Sequence, residues 1–179
     1  MSTRHFSRKS CKSERRAVTL QNYLQYFDEM MKPTEPLFRL VPPDKVDWKM
    51  TENSFTLGQQ MAHIAGALGV YGHGIASGDW GFKSMRERFV QNRHTPSVNV
   101  EEAVRELEEN YTEFKKCLGS LTEDEFNHGE VETPQFGRKV PRWRVAMLAV
   151  EHHVNHKAEF FMCVKSLGIK VNTGHLYRA

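Results

Sequence analysis

Two histidines one helical turn apart, His152 and His156, are the residues whose types and spacing could do chemistry. They lie in Glu151–Phe160, inside a segment from Val140 to Leu167 with helical periodicity. There Val145, Leu148, Ala149, Phe160, Cys163 and Leu167 recur at steps of three and four, and the two histidines occupy slots of the same stripe. Residues four apart on a helix hold their Cβ atoms about 5–6 Å apart on one face. Both imidazoles can therefore reach one cation at the roughly 2.0–2.1 Å of a Zn–N bond. The competing reading is a pair of core histidines hydrogen-bonded to carbonyls, which requires partners for both nitrogens of each buried ring. His153 projects about 100° away, alongside Ala146, Val150 and Lys157, and reads as a flank or rim residue. Cys163 follows His156 by two turns on the same face. It reads as a buried structural thiol, with a nucleophile or fourth ligand as the alternative.

The elements that must position these side chains are helices. Val18, Leu20, Tyr23, Leu24, Phe27, Met30 and Met31 form a first stripe, stopped by Pro33. The proline-bearing stretch Glu35 to Lys49 reads as a connector, with Trp48 set to pack on the next helix. Asn53 or Ser54 is the expected cap of a second helix reaching about Ser77, with Leu57, Met61, Ile64, Leu68, Tyr71 and Ile75 as its core face. His63 sits at the edge of that face. Gly66 and Gly69 keep part of it small, for a close helix or a ligand. A linker follows from Gly78 to Pro96, with a short helix over Lys83 to Val90. Asn99 and Glu102 open a third helix in a variant capping box, and its glutamate run reads as a wet face. Leu121 to Glu125 starts a short turn of helix, and Asn127 to Pro141 a loop or small hairpin. The tail from Gly168 reads as irregular. Four amphipathic helices make an all-α four-helix bundle the expected fold, with an irregular or hairpin insertion before the last long helix.

Composition narrows the class. A chain of 179 residues fits one domain, expected over residues 17–179 behind a basic leader at 1–16. Six basic residues against Glu14 alone give the leader +5 of charge, so the rest of the chain carries −2 of the total +3. A near-neutral body makes a nucleic-acid partner an unlikely one. No apolar run approaches a membrane span of about 20 residues. Three cysteines without C-x-x-C spacing point to a reducing, cytoplasmic setting. Glu125-x-x-His128 has di-iron spacing but occurs once, beside a turn, and reads as chance.

Thr51 to Gly66, ending just beyond His63, the H-x-x-x-H of Val145 to Phe161, and the exit Leu167-Gly168-Ile169 together resemble the DinB/YfiT-like superfamily. The resemblance covers nearly the whole chain from the first helix onward. It implies an up-down-down-up four-helix bundle, often dimeric, in which His63, His152 and His156 bind one divalent ion, zinc or nickel being usual. It also implies activities such as S-transfer with low-molecular-weight thiols (bacillithiol, mycothiol) or maleylpyruvate isomerisation. The family's Arg-Gly-Gln-like triplet after the second histidine is here Lys157-Ala158-Glu159.

Three imidazoles would leave a coordination position open, as catalytic zinc sites do. The expected function is thus a metal-dependent thiol S-transferase or hydrolase acting on a small-molecule substrate, with a low-molecular-weight thiol as possible cosubstrate and a homodimer as the assembly. Glu159 shares the face of His152 and His156 and is the candidate orienting carboxylate or base. Gln59 and Asn155 are weaker candidates, Tyr71 reads as core, and Trp143 and Arg144 could line a mouth for an anion. The alternative is a non-catalytic metal- or ligand-binding protein of stress response.

Overall fold

The computed structural model describes residues 18–178, so the leader expected at residues 1–16 lies outside the described residues. Four long helices, α1 (Leu20–Met31), α3 (Leu57–Ser77), α5 (Val100–Gly119) and α7 (Arg142–Ser166), enclose one continuous apolar core. Shorter elements join them: α2 (Thr34–Phe38), α4 (Met85–Arg93), α6 (Glu123–His128), and a hairpin of β1 (Glu130–Thr133) and β2 (Arg138–Pro141) in which Val131 pairs with Val140. No helix among the described residues is long and apolar enough to cross a membrane.

Contacts between side chains give the directions. Phe27 meets Phe114 and Asp28 accepts from the Tyr111 hydroxyl, while the Leu20 amide reaches Glu123 beyond the far end of α5, so α1 and α5 run antiparallel. Tyr23 donates to the Ala146 carbonyl and Lys157 to that of Met30, so α1 and α7 run parallel. Gly69 abuts Asn110 and Gly72 abuts Phe114 and Cys117, so α3 runs parallel to α5. Arg142 donates to the Ile75 carbonyl while Gln60 reaches Cys163, which makes α7 antiparallel to α3. The result is a four-helix bundle running up, down, down, up, the arrangement the family resemblance implies. Parallel neighbours need a crossover, and residues 78–99, carrying α4, supply it. Gly72 makes the α3–α5 approach possible: a Cβ there would stand 3.0 Å from the Phe114 Cα.

The sequence expectations fare well on element order and less well on ends. The α3 cap is Thr56, not Asn53 or Ser54. Its hydroxyl accepts from the Gln59 amide while the Gln59 side chain accepts from the Thr56 amide, a complete capping box. Asn53 and Ser54 fall instead in the turn leading in, where Ser54 bonds Thr51. Within the expected connector, α2 forms on Pro33 and buries Thr34, Leu37 and Phe38. The tail contains a 3-10 turn at Thr173–Leu176. Thr56→Ala should cost about 1 kcal/mol of unfolding free energy, read by urea denaturation, because it removes the cap that sets where α3 begins.

The largest correction concerns α7. Its most buried positions are Val145, Ala146, Ala149, Val150, His153, Lys157, Phe160, Phe161, Cys163 and Val164, which belong to two adjoining stripes. His153, read from sequence as a rim residue, is 3% exposed, as is Lys157. The reason is packing on both sides. One stripe faces α3, and the other faces α1 and α2, where His153 Nε2 meets Thr34 Oγ1 at 2.9 Å and its ring stands edge-on to Phe27. Lys157 Nζ donates to the carbonyls of Met30 (2.7 Å) and Leu176 (3.1 Å), tying the C-terminal turn down. Burial lowers its pKa to about 8.

Candidate metal centre

Helices α3 and α7 bring together the three histidines singled out in the sequence. His63 comes from the middle of α3, and His152 and His156 from successive turns of α7. Their ring centroids are 4.4–5.2 Å apart. One ligand nitrogen from each lies within 4.8 Å of the others, and the Nε2 atoms of His63 and His156 are 3.3 Å apart. For Zn–N bonds of roughly 2.0–2.1 Å, the edge of a coordination tetrahedron is about 3.3–3.4 Å. The His63–His156 pair already stands at that edge, and the third nitrogen lies within 4.8 Å of both, so the three residues could hold one small divalent cation. The core-histidine reading fares worse: among the described residues, no carbonyl or side chain other than His156 bonds the His63 ring, and none bonds the His152 ring.

The electrostatics suit ligation, which requires neutral imidazole. Burial first, and then the neighbouring His156, lowers the His63 pKa to about 4. His152 is held to about 3, first by burial and then by His156 and His63. Glu159, exposed on the next turn, lies 2.8 Å from His156 Nδ1. A carboxylate there accepts a hydrogen bond from Nδ1–H and leaves the Nε2 lone pair free to face the other rings. Tyr71 stands edge-on to His152 at 5.3 Å, and burial raises its hydroxyl pKa to about 12.

Two cavities open onto this cluster, and His63, His156 and Phe55 line both. One, of about 760 Å³, is walled by Met50, Ile64, Met162 and Cys163, with Glu159 at its rim. The other, of about 430 Å³, lies beneath α4 and is bounded by Tyr71, His152, Arg88 and Gln135.

A DinB superfamily profile spans residues 26–160, from α1 through the last of these histidines and Glu159. The chain belongs to the DinB superfamily. It is 27% identical over 137 residues to the uncharacterized protein YjoA of Bacillus subtilis strain 168, a match covering 75% of this chain and 82% of that protein. The crystal structure of the DinB-like YjoA superposes with a TM-score of 0.64 at 19% identity, covering 83% and 94% of the two chains. A DinB-like protein from Bacillus cereus ATCC 10987 gives 0.68 at 18% identity, covering 86% and 96%. A mutant of the mycothiol-dependent maleylpyruvate isomerase gives 0.59 at 20% identity, covering 87% of this chain and 63% of that one. At such identities the structural likeness speaks for the DinB fold.

The other residues weighed from the sequence lie elsewhere or are engaged. Gln59 is occupied by the α3 cap and the Thr95 carbonyl. Asn155 lines the larger cavity. Cys163 is buried in that cavity's wall, where Gln60 reaches its sulfur at 3.4 Å, and it stands outside the ligand cluster. Trp143 and Arg144 line neither cavity: Trp143 is exposed, and Arg144 stacks over Phe136. His128 pairs with Asp124 and Glu125 caps α6, so the E-x-x-H spacing is coincidental. A second grouping, His73, Glu113 and Cys117, stands on the outer α3–α5 face. There Glu113 is already paired with Lys116, and burial pushes the Cys117 thiol up.

Sequence reasoning missed Phe55, Arg88 and Gln135. Arg88 belongs to a short helix with no apolar stripe, and Gln135 to a hairpin turn. Only the folded crossover shows that either faces the cluster.

Proposed function

We propose that this DinB protein is a metal-dependent enzyme that activates a thiol or water nucleophile at His63, His152 and His156, as a thiol S-transferase or hydrolase. The observation that carries the reading is the convergence of three imidazoles, with ligand nitrogens within 4.8 Å of one another, where two cavities meet. Three protein ligands with space beside them characterise catalytic zinc, whereas structural sites are closed by four. A divalent cation bound there, zinc or nickel by family habit, would hold a thiol as thiolate or bring the pKa of water to about 7.

The chain's own groups do the rest. Glu159 holds the Nδ1 proton of His156 and so fixes its tautomer. Phe55, Met50 and Ile64 line one approach and offer an apolar reactant a surface. The likeness to a mycothiol-dependent isomerase supports a thiol as cosubstrate.

The test is conjugation of monochlorobimane with a set of low-molecular-weight thiols by zinc- or nickel-loaded protein. Turnover with at least one thiol, lost in His156→Ala, is the expected result. Glu159→Ala should weaken metal binding about 10- to 100-fold, and Glu159→Gln less, because an amide oxygen still accepts from Nδ1–H. Absence of turnover with every thiol, together with absence of hydrolysis of activated esters and amides, would leave a metal-binding protein in place of an enzyme.

A further inference from the structure

The two cavities that meet at the histidines differ in charge, and the difference turns on Arg88. Its side chain is half-buried, with the guanidinium over the Phe82 ring at 5.7 Å. Among the described residues it has no carboxylate partner and no side-chain hydrogen bond, though a guanidinium offers five donors in a planar fork. A half-buried guanidinium with no partner in the fold keeps its donors free for an anion that enters the chamber. Arg93 adds a second cation to the same lining, which contains no Asp or Glu. Across the chamber the Gln135 Oε1 is buried with no partner among the described residues, an acceptor open to an N–H, O–H or S–H of whatever enters. The larger cavity is the converse, with methionines, Ile64 and Phe55 around it and Glu159 as the one carboxylate among the described residues that line it.

We propose that the chamber beneath α4 is the subsite for a carboxylate-bearing reactant, clamped by Arg88 with its reactive end against His63, His152 and His156, and that the apolar cavity takes the other reactant. This deepens the metal-enzyme reading by giving each reactant a side. Arg88, His63, His152 and His156 line the same chamber, so an anion held by the guanidinium lies in the space that the imidazoles face. A fork bonded to a carboxylate supplies two parallel charge-assisted hydrogen bonds, for which lysine is a poor substitute.

Two calorimetric titrations test the subsite. The first uses metal-free protein and succinate, with 1,4-butanediol as the uncharged control, and so does not depend on the metal. Wild type should bind succinate and not the diol. Arg88→Met should weaken succinate about 10- to 100-fold, and Arg88→Lys should recover part of that loss. A far-UV circular dichroism spectrum and urea midpoint equal to wild type show that the variants are folded. Equal succinate affinity in wild type and Arg88→Met would overturn the proposal. The second titration uses zinc-loaded protein with mercaptosuccinate, succinate and 2-mercaptoethanol. Mercaptosuccinate binding tightest assigns the anion to the thiol reactant, and equal affinity for the two dicarboxylates assigns it to the acceptor. Tightest binding of 2-mercaptoethanol would contradict an anion subsite. Arg88-dependent succinate binding in a protein that retains no metal would sink the metal-enzyme reading while leaving the subsite standing.

Discussion

His152→Ala should bind zinc more than about 100-fold more weakly than wild type, since even the groups that merely orient ligands are worth 10- to 100-fold in affinity. The wild-type chain is expected to hold about one equivalent after gel filtration and the variant almost none, measured by elemental analysis. The three rings are so placed that losing one leaves two nitrogens, and two neutral imidazoles compete poorly with water for a divalent ion. His153→Ala is the informative control, because that ring lies beside His152 in the chain yet faces Thr34 and Phe27. It should lose stability while keeping its metal per folded molecule. If His152→Ala retains wild-type zinc, the site is elsewhere.

The metal-free chain should become steeply acid-labile below about pH 6.5. His63, His152 and His153 are held neutral in the fold, with pKa values of about 4, 3 and 3. Burial is the first cause in each case. His156 is the next for His63 and His152, and Lys157 for His153. In the unfolded chain each returns to about 6.5. Between pH 6.5 and 4 the unfolded state therefore binds more protons, and stability falls as pH falls. Each fully buried ring contributes at most about 1.4 kcal/mol per pH unit. His153 should approach that value, while the partly exposed His63 and His152 fall short of it. Urea denaturation of metal-free protein at pH 7, 6 and 5 measures the slope. His153→Gln, which can still bond Thr34 but does not titrate, should reduce that slope by close to one proton. An unchanged slope would mean that His153 gains water access in the fold. Lys157 acts in a separate window: its lowered pKa makes stability rise between about pH 8 and 10.5.

How much of this was legible in the sequence follows from the range of the interactions. Spacing of four residues placed His152 and His156 on one face, and spacing of three brought Glu159 to His156, because a helix converts short sequence distances into contacts. The long helices and the Asn99 cap were equally local. His63 is 89 positions before His152, and no periodicity links them. Only the likeness to a family joined them ahead of the fold. The misreading of His153 and Lys157 has a clear cause. A single apolar stripe predicts one buried face, but α7 is covered by α3 on one side and by α1 and α2 on the other, so polar residues on its second stripe are buried and must find partners. Arg88 and Gln135 were silent because a crossover and a hairpin turn bring them to the cluster, and neither carries a period.

Lys157 immediately follows His156 in the chain and grips two carbonyls on the opposite flank of the helix. A rod held fast on its reverse cannot roll about its own axis. The bearing of His152 and His156 toward His63 is therefore set by the fold itself. Removing Leu176 would take away one of the two grips, so the aim of the imidazoles is secured in part by the 3-10 turn at Thr173–Leu176.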